Sequence, residues 1–324
     1  MDSSRRGRLS LLLRPRVVLA AAWLVVAIAA CAPPSPPATE APGPLRLYFL
    51  NVGQGDGALL ITPDGVTVLV DGGDTNRGTG LVAWLQSLGI AKVDWIMPSH
   101  PHADHIGGLN AVLDALPVGN ALVSPQEGPS ATYGRQMALL AAKQVRTVPA
   151  EEGLAIPLGT QVTATVLNPP RGLLATSEPE EDNSVVLRVC LLAVCALFTG
   201  DIGDQGERAL VARYRDEPGQ LRSQILKVSH HGSAEPNLPE LLGFIAPEVA
   251  LIGAGAGNRF GHPTPTALAR LAGVGATIYC THVDGTVLLL IDGARYSVEL
   301  LPQAAIPAGG RPPEPLAPPA QCGR

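Results

Sequence analysis

The chain has 324 residues, 46% of them hydrophobic and 16% charged, with 36 glycines and 31 prolines. That is enough apolar sequence for one large core or two fused halves, joined by many tight turns. Twenty-three basic residues against 28 acidic ones give a net charge of −5, with Lys92, Lys143 and Lys227 the only lysines, which excludes the basic footprint of a tight nucleic-acid binder.

Residues 1–30 read as an export leader, with a basic start from Arg5 to Arg16 followed by an apolar run of signal-peptide length. Ile28, Ala29, Ala30 and Cys31 resemble the bacterial lipoprotein processing box, in which cleavage leaves the cysteine as a lipidated N-terminus. Ser4, Arg5 and Arg6 also resemble part of a twin-arginine signal. The expectation is an exported lipoprotein, held at the cell envelope through a lipid on Cys31. The leader takes five basic residues and one acidic one with it, so the remainder stands at 18 against 27, a net of −9. Residues 31–44 form a proline-rich, semi-rigid tether, and a similar tail, 302–324, is expected to pack little apart from Cys322.

Between them, 45–301 reads as a body of alternating short strands and helices. Strands are predicted at 45–51, 58–61 and 66–70, a helix at 79–88, and a buried strand at 93–97. Gln54 and Asp56, in GQGDG, are expected to shape a turn beneath the site. Asp71 follows the third strand and precedes Gly72 and Gly73, where a carboxylate can fix a metal ligand through a hydrogen bond.

The strand at 93–97 runs into HPHADH, His100 to His105, and then into Ile106, Gly107 and Gly108, which read as a helix start. Three of the seven histidines fall in these six residues. Imidazole nitrogen and carboxylate oxygen suit zinc and neighbouring divalent ions, and the short spacing lets one turn supply several ligands. On an extended backbone His100 and His102 point the same way, while Asp104 and His105 turn off toward a second point. The stretch is read as a site for one or two divalent metal ions, zinc or manganese.

Further on come helices near 109–115 and 132–142, a strand at 121–123, a strand at 162–167 and a hairpin over 185–199. A helix at 204–214, a strand at 225–228, a helix at 265–271 and strands at 277–280, 287–291 and 296–300 follow. Asp201 follows the hairpin, where one carboxylate can bridge two metals. His230 and His231 follow the strand at 225–228, and His262 lies in NRFGHP. His282, in CTHVDGT, reads as a turn residue. Cys190 and Cys195 flank a turn, where a cross-hairpin bridge or two buried thiols both fit, and Cys280 with Cys322 would be the other pair. Two series of strands with interleaved helices imply an α/β fold in which two sheets pack face to face, a four-layer αββα sandwich.

NVGQGDGALL, LVDGGD, SHPHADHIGGL, LFTGD, VSHHGS and GHP, in this order, resemble the metallo-β-lactamase fold superfamily. More narrowly they are similar to the hydrolase domain of ComEC-type DNA-uptake competence proteins and its stand-alone relatives. The resemblance implies His100 and His102 on one metal, Asp104 and His105 on another, and Asp201 between. His231 or His230 would complete the set, the other contacting a substrate phosphate, with His262 a competing ligand. Most superfamily members have a further histidine before the strand that ends in the bridging aspartate. Here that loop reads EEDNSVVL, with Asn183 and Ser184, which leaves the first metal one imidazole short.

The expected chemistry is hydrolysis by metal-bound hydroxide, with Asp104 orienting the nucleophile and His230 meeting the leaving group or the substrate anion. The favoured substrate is a phosphodiester: DNA, a nucleotide or a cell-surface phosphodiester. Hydrolysis of a lactam, lactone or thioester is the alternative. A third reading is a lipid-anchored DNA-capture module with a structural metal, which would need a separate channel protein as partner.

Overall fold

A computed structural model describes residues 43–302, 305–308, 316–317 and 322–323. The leader, Cys31 and the tether up to residue 42 lie outside the described residues. Among those described, no helix is long and apolar enough to cross a membrane.

The first half runs β1 (Leu45–Phe49), β2 (Gly57–Ile61), β3 (Thr67–Asp71), α1 (Gly78–Ser87), β4 (Val93–Met97), α2 (Ala103–Ala115), β5 (Val118–Val123), α3 (Ala131–Ala142) and β6 (Arg146–Pro149). The second begins with β7 (Ala155–Pro157), β8 (Val162–Asn168), α4 (Pro179–Asp182), β9 (Val186–Leu191), β10 (Val194–Phe198) and α5 (Asp204–Arg213). It continues through β11 (Ile225–Lys227), α6 (Pro239–Ile245), β12 (Val249–Ile252), α7 (Pro265–Gly273), β13 (Thr277–Cys280) and α8 (Thr281–Asp284). β14 (Thr286–Ile291) and β15 (Tyr296–Leu301) close the series.

These strands make an eight-stranded sheet, β15-β14-β1-β2-β3-β4-β5-β6, and a seven-stranded one, β13-β12-β11-β10-β9-β8-β7. The last two strands therefore leave the second series and return to the first sheet, where β14 pairs antiparallel with β1, Leu47 opposite Leu289. Local pattern cannot reveal this, because an apolar strand such as TVLLLI fits the middle of either sheet.

Alternation along the strands builds three apolar layers. Leu45, Leu47 and Phe49 of β1 point between the sheets, where they meet Val189 of β9 and Ala196 and Phe198 of β10. Tyr48 points the other way, into a layer with Leu81 and Leu85 of α1 and Leu109 and Leu113 of α2. On the far side Leu197 and Leu226 pack with Leu210 of α5, Leu242 of α6 and Leu271 of α7. Three cores separate four layers, the αββα sandwich expected from the sequence. At about 1.5–3 kcal/mol per large side chain buried, these layers outweigh the weak helix propensity of glycine-bearing segments such as α1.

Both cysteine pairs are bridged: Cys190 to Cys195 across the β9–β10 turn, where the sequence alone fits a bridge and two buried thiols equally, and Cys280 to Cys322. Among the tail's described residues, Ile306 packs as well as Cys322. Ile306 is buried, donates its backbone N–H to the Asn51 carbonyl (2.9 Å) and accepts from the Arg77 guanidinium (3.0 Å).

Each sheet contains a parallel block, β3-β4-β5-β6 in one and β10-β11-β12-β13 in the other. Parallel strands deliver all their carboxyl ends to one edge, where loops converge on ligands. The HPHADH turn follows β4, Asp71 ends β3, Asp201 follows β10 and the His230–His231 pair follows β11.

Candidate metal centre

α2 starts earlier than the sequence suggests, at Ala103, with His102 as its extended N-cap residue. Asp104 and His105 thus occupy the first helical turn, where the positive end of the helix dipole favours a carboxylate. The turn is pinned to the loop after β3: Gly72 N donates to the His105 carbonyl and Gly108 N to the Gly73 carbonyl, both at 2.8 Å. A Cβ on Gly108 would collide with the Gly72 carbonyl, so only glycine permits this approach.

Asp71 joins the two strand ends. Its Oδ1 accepts from the Ser99 backbone N–H at 2.8 Å and its Oδ2 lies 2.9 Å from His105 Nδ1. That leaves His105 Nε2 facing Asp201 Oδ2 at 3.2 Å and Asp104 Oδ2 at 3.9 Å. His231 Nε2 arrives from the other sheet, 3.0 Å from Asp201 Oδ2 and 3.3 Å from Asp104 Oδ2. Two ring nitrogens and two carboxylate oxygens from three separate segments of backbone, the start of α2 and the loops after β10 and β11, meet at one point.

His100 and His102 form a second pair beside it. His100 Nε2 and His102 Nδ1 are 3.0 Å apart, while their outer nitrogens face Ser99 Oγ (3.0 Å) and Glu180 Oε2 (3.1 Å). The His100 and His105 rings are 4.1 Å apart, so the two groups adjoin. Outer nitrogens tied to oxygen and inner nitrogens turned together is the arrangement metal-binding histidines adopt.

His230 and His231 sit in a tight turn, Ser229–Gly232, with φ of 46° and 52°. Left-handed backbone costs roughly 1–2 kcal/mol per non-glycine residue, so something must hold it. Glu207 of α5 does: its carboxylate accepts from Ser229 Oγ (2.9 Å) and from the backbone N–H groups of Asn237 and Leu238 (both 2.8 Å). Asn237 in turn accepts from Ser229 N at 3.1 Å and donates to the Ser229 carbonyl at 3.2 Å.

The structure brings in residues that sequence reasoning placed elsewhere. Asp56, expected only to shape a turn, is buried in the centre; with His105, Asp201 and His231 it offers atoms within 4.8 Å of one another. Its Oδ2, however, faces the Nδ1 side of both rings, 3.7 Å from His105 and 3.6 Å from His231, and contacts Lys227. It backs the cluster from behind. Lys227 is buried, donates to the Gly200 carbonyl at 2.6 Å and lies 3.2 Å from Asp201 Oδ1. Parallel pairing of Phe198 with Lys227 puts it there, a signal legible only once the strand order is known.

Asn183 does not turn toward the histidines. Its Oδ1 accepts from Leu174 N (2.7 Å) and its amide donates to the carbonyls of Leu174 (3.0 Å) and Pro179 (2.9 Å), so it ties the preceding loop to α4, the short helix that presents Glu180 and Glu181. Ser184 Oγ accepts from Asp201 N at 3.2 Å. His282, expected in a turn, is buried in the helical turn α8.

Charge follows this geometry. Burial pulls His105 and His231 down, but Asp201 foremost, helped by Asp71 at His105 and by Asp56 at His231, holds both well above the usual imidazole range. Asp104 and Asp201 lie below the usual carboxylate range: burial opposes this, and His105 and His231 outweigh it. His100 is lowered by burial and then by His105; His230 is lowered chiefly by burial. His262 falls to about 4 through burial and the neighbouring His231 and His230. Burial, then Asp201, pushes Glu181 up to about 8. Such a group draws in positive charge, either as protons on His105 and His231 or as a divalent ion whose entry releases them. Neither nitrogen of buried His231 has a hydrogen-bond partner of good geometry, although carboxylates surround the ring. The donor set therefore fits a divalent metal of the zinc or manganese type.

A cavity of about 180 Å³ opens over the cluster. Six residues expected at the site line it, His102, Asp104, Asp201, His230, His231 and His262. Gln54, Glu181 and Phe260 line it too and were not expected there. A larger hollow of about 470 Å³, between Leu113 and Val145, has only Asp114 and Lys143 as charged groups, and no histidine.

Two mixed sheets flanked by helices, with a histidine–carboxylate cluster at the carboxyl ends of their parallel strands, define the class: an αββα protein with a site that could hold metal. The family model for the metallo-beta-lactamase superfamily matches residues 57–255, and the chain belongs to that superfamily. Among curated proteins it is 28% identical to "Competence protein ComA" of Neisseria gonorrhoeae over 284 residues, covering 86% of this chain and 36% of that one. It is 25% identical to "ComE operon protein 3" of Bacillus subtilis over 261 residues, 74% of this chain and 32% of that one. The chain thus spans about a third of the length of these relatives. Among solved structures, the diiron beta-hydroxylase CmlA of Streptomyces venezuelae superposes with a TM-score of 0.51 at 15% identity, over 80% of this chain and 55% of that one. This likeness is one of fold.

Proposed function

We propose that the protein is an exported, metal-dependent hydrolase of phosphodiesters. The observation that carries this reading is the convergence of His105 Nε2, His231 Nε2, Asp104 Oδ2 and Asp201 Oδ2 beside the His100–His102 pair, all beneath one small cavity. In this reading Asp104, His105, Asp201 and His231 hold one ion, His100 and His102 hold the other, and Asp201 lies between. Asp71 and Glu180 orient His105 and His102 from outside.

Divalent ions bound there would lower the pKa of water toward 7 and polarise a phosphoryl oxygen. The chain's own groups do the rest. Asp104, kept ionised by His105 and His231, lines the cavity and is placed to orient the attacking water. His230, neutral at pH 7 because burial lowers its pKa, faces the same cavity and is placed to donate to a substrate oxygen. Of the nine lining residues only Phe260 is apolar, which favours a phosphoryl anion over the apolar ring of a lactam.

The competence-protein names of the relatives support DNA or a nucleotide as the substrate. The chain spans only about a third of those proteins, and in this reading a separate DNA-uptake channel is a candidate partner. The lipoprotein leader (1–30), a lipid on Cys31 and the tether to residue 44 would place the hydrolase at the cell envelope, with a proline-rich tail from 302 to 324.

Protein loaded with zinc or manganese should cleave bis(p-nitrophenyl) phosphate and leave nitrocefin intact, and both chelator and Asp104→Ala should abolish turnover. Cleavage of nitrocefin alone would overturn the reading. Turnover of neither would favour the DNA-capture module with a structural metal.

A further inference from the structure

Between β12 and α7 the chain presents an aromatic ring that the metal chemistry does not use. Phe260 is 53% exposed, yet it lines the cavity with His262 and Asp104. A lone exposed phenylalanine is ordinary. This one is held out by design of its loop. Asn258 Oδ1 accepts from the backbone N–H groups of Phe260 (3.2 Å) and His262 (3.0 Å), and its amide donates to the carbonyls of Gly255 (2.9 Å) and His262 (2.6 Å). Four hydrogen bonds from one side chain fix the turn.

The rings are layered from the metal centre outward. His262 approaches His231 at 6.4 Å and His230 at 5.7 Å. Phe260 lies nearly parallel to His262, at 23° and 5.7 Å, and the Arg259 guanidinium sits over the Phe260 ring, 4.8 Å from its centroid. A ligand spanning this wall meets anion-binding groups at one end and a flat π surface with a cation at the other.

We infer that Phe260 and Arg259 form the platform on which the base next to the scissile phosphate stacks, which makes the substrate a nucleoside phosphodiester. The inference rests on the phosphodiesterase reading. Aromatic rings and guanidinium planes both stack on bases, and they do so with little regard to base identity. A choline headgroup fits poorly, because quaternary ammonium recognition needs a cage of aromatic faces, and here the Arg259 guanidinium laid on the single ring repels a second cation while its own plane remains able to stack on a base. Stacking also answers the charge problem. It does not depend on counterion release, so an acidic protein can hold a nucleotide without a basic surface.

Calorimetry of the manganese-loaded protein with thymidine 5′-monophosphate and with inorganic phosphate tests this. The nucleotide should bind about tenfold more tightly or better. Phe260→Ala should erase that preference and Phe260→Tyr, which keeps the ring, should retain it. Equal affinity for nucleotide and phosphate, or a preference that survives Phe260→Ala, overturns the platform. Turnover of methyl p-nitrophenyl phosphate by the unmutated protein reports on the hydrolase separately. Turnover without nucleotide preference defeats the platform alone, and preference without turnover defeats the hydrolytic reading alone.

Discussion

Lys227 Nζ lies 3.2 Å from Asp201 Oδ1, with both side chains almost fully buried, and Asp56 closes on the same ammonium. Burial alone would depress a lysine; Asp56 and Asp201 instead hold it above its usual range. Removing it with Lys227→Met leaves two buried carboxylates without their fixed cation, a change that typically costs about 3–5 kcal/mol. The loss of thermal stability should be large in chelator and smaller in manganese, since the ion supplies the missing charge. Equal losses in the two buffers would mean that Lys227 does not share the charge of the site.

Glu180 reaches His102 Nε2 at 3.1 Å and leaves Nδ1 turned inward. Outer partners of this kind are worth about 10- to 100-fold in metal affinity. Metal titration of Glu180→Ala should show one ion weakened by about that factor. Unchanged affinity would show that His102 needs no such support.

Glu207, wholly buried, is pushed up to about 7 by burial, against the hydrogen bonds from Leu238, Asn237 and Ser229 that favour its charge. In the unfolded chain its pKa is about 4.5. The folded protein therefore holds the extra proton between these values. The stability it contributes is complete below pH 4.5 and is lost as pH rises to about 7, on the order of 3 kcal/mol in all. Glu207→Gln keeps the shape and cannot ionise. In urea unfolding with chelator present, the unmutated protein should lose about that much relative to the variant between pH 5 and pH 8. A constant difference would place the proton elsewhere.

The two disulfides differ in the length of chain they close. Cys280–Cys322 spans 42 residues and Cys190–Cys195 only 5. Chain entropy predicts about 4 kcal/mol for the long loop and about 2 for the short one. Cys322→Ser should accordingly lower the urea midpoint about twice as far as Cys195→Ser. The reverse order would point to packing around the β9–β10 turn as the larger effect.

What the sequence alone determined is what is local. HPHADH places three imidazoles and a carboxylate within six residues, because one strand end and one helical turn suffice to aim them, and alternation within each strand set the three apolar layers. Asp201 and the His230–His231 pair were legible because Asp201 and His230 each lie three residues past the end of an apolar strand. Tertiary structure decided the rest. β14 joins β1 across most of the chain, a pairing that no local period encodes. Lys227 and Asp56 enter the cluster only because strand register and a second sheet bring them there. Glu181 reaches the cavity from the short helix α4 and Phe260 from a loop, and the amides of Asn183 and Asn258 fix these two segments. Short-range geometry follows from the covalent chain, whereas convergence of distant side chains depends on which strands pair and on which loops a single buried side chain can pin.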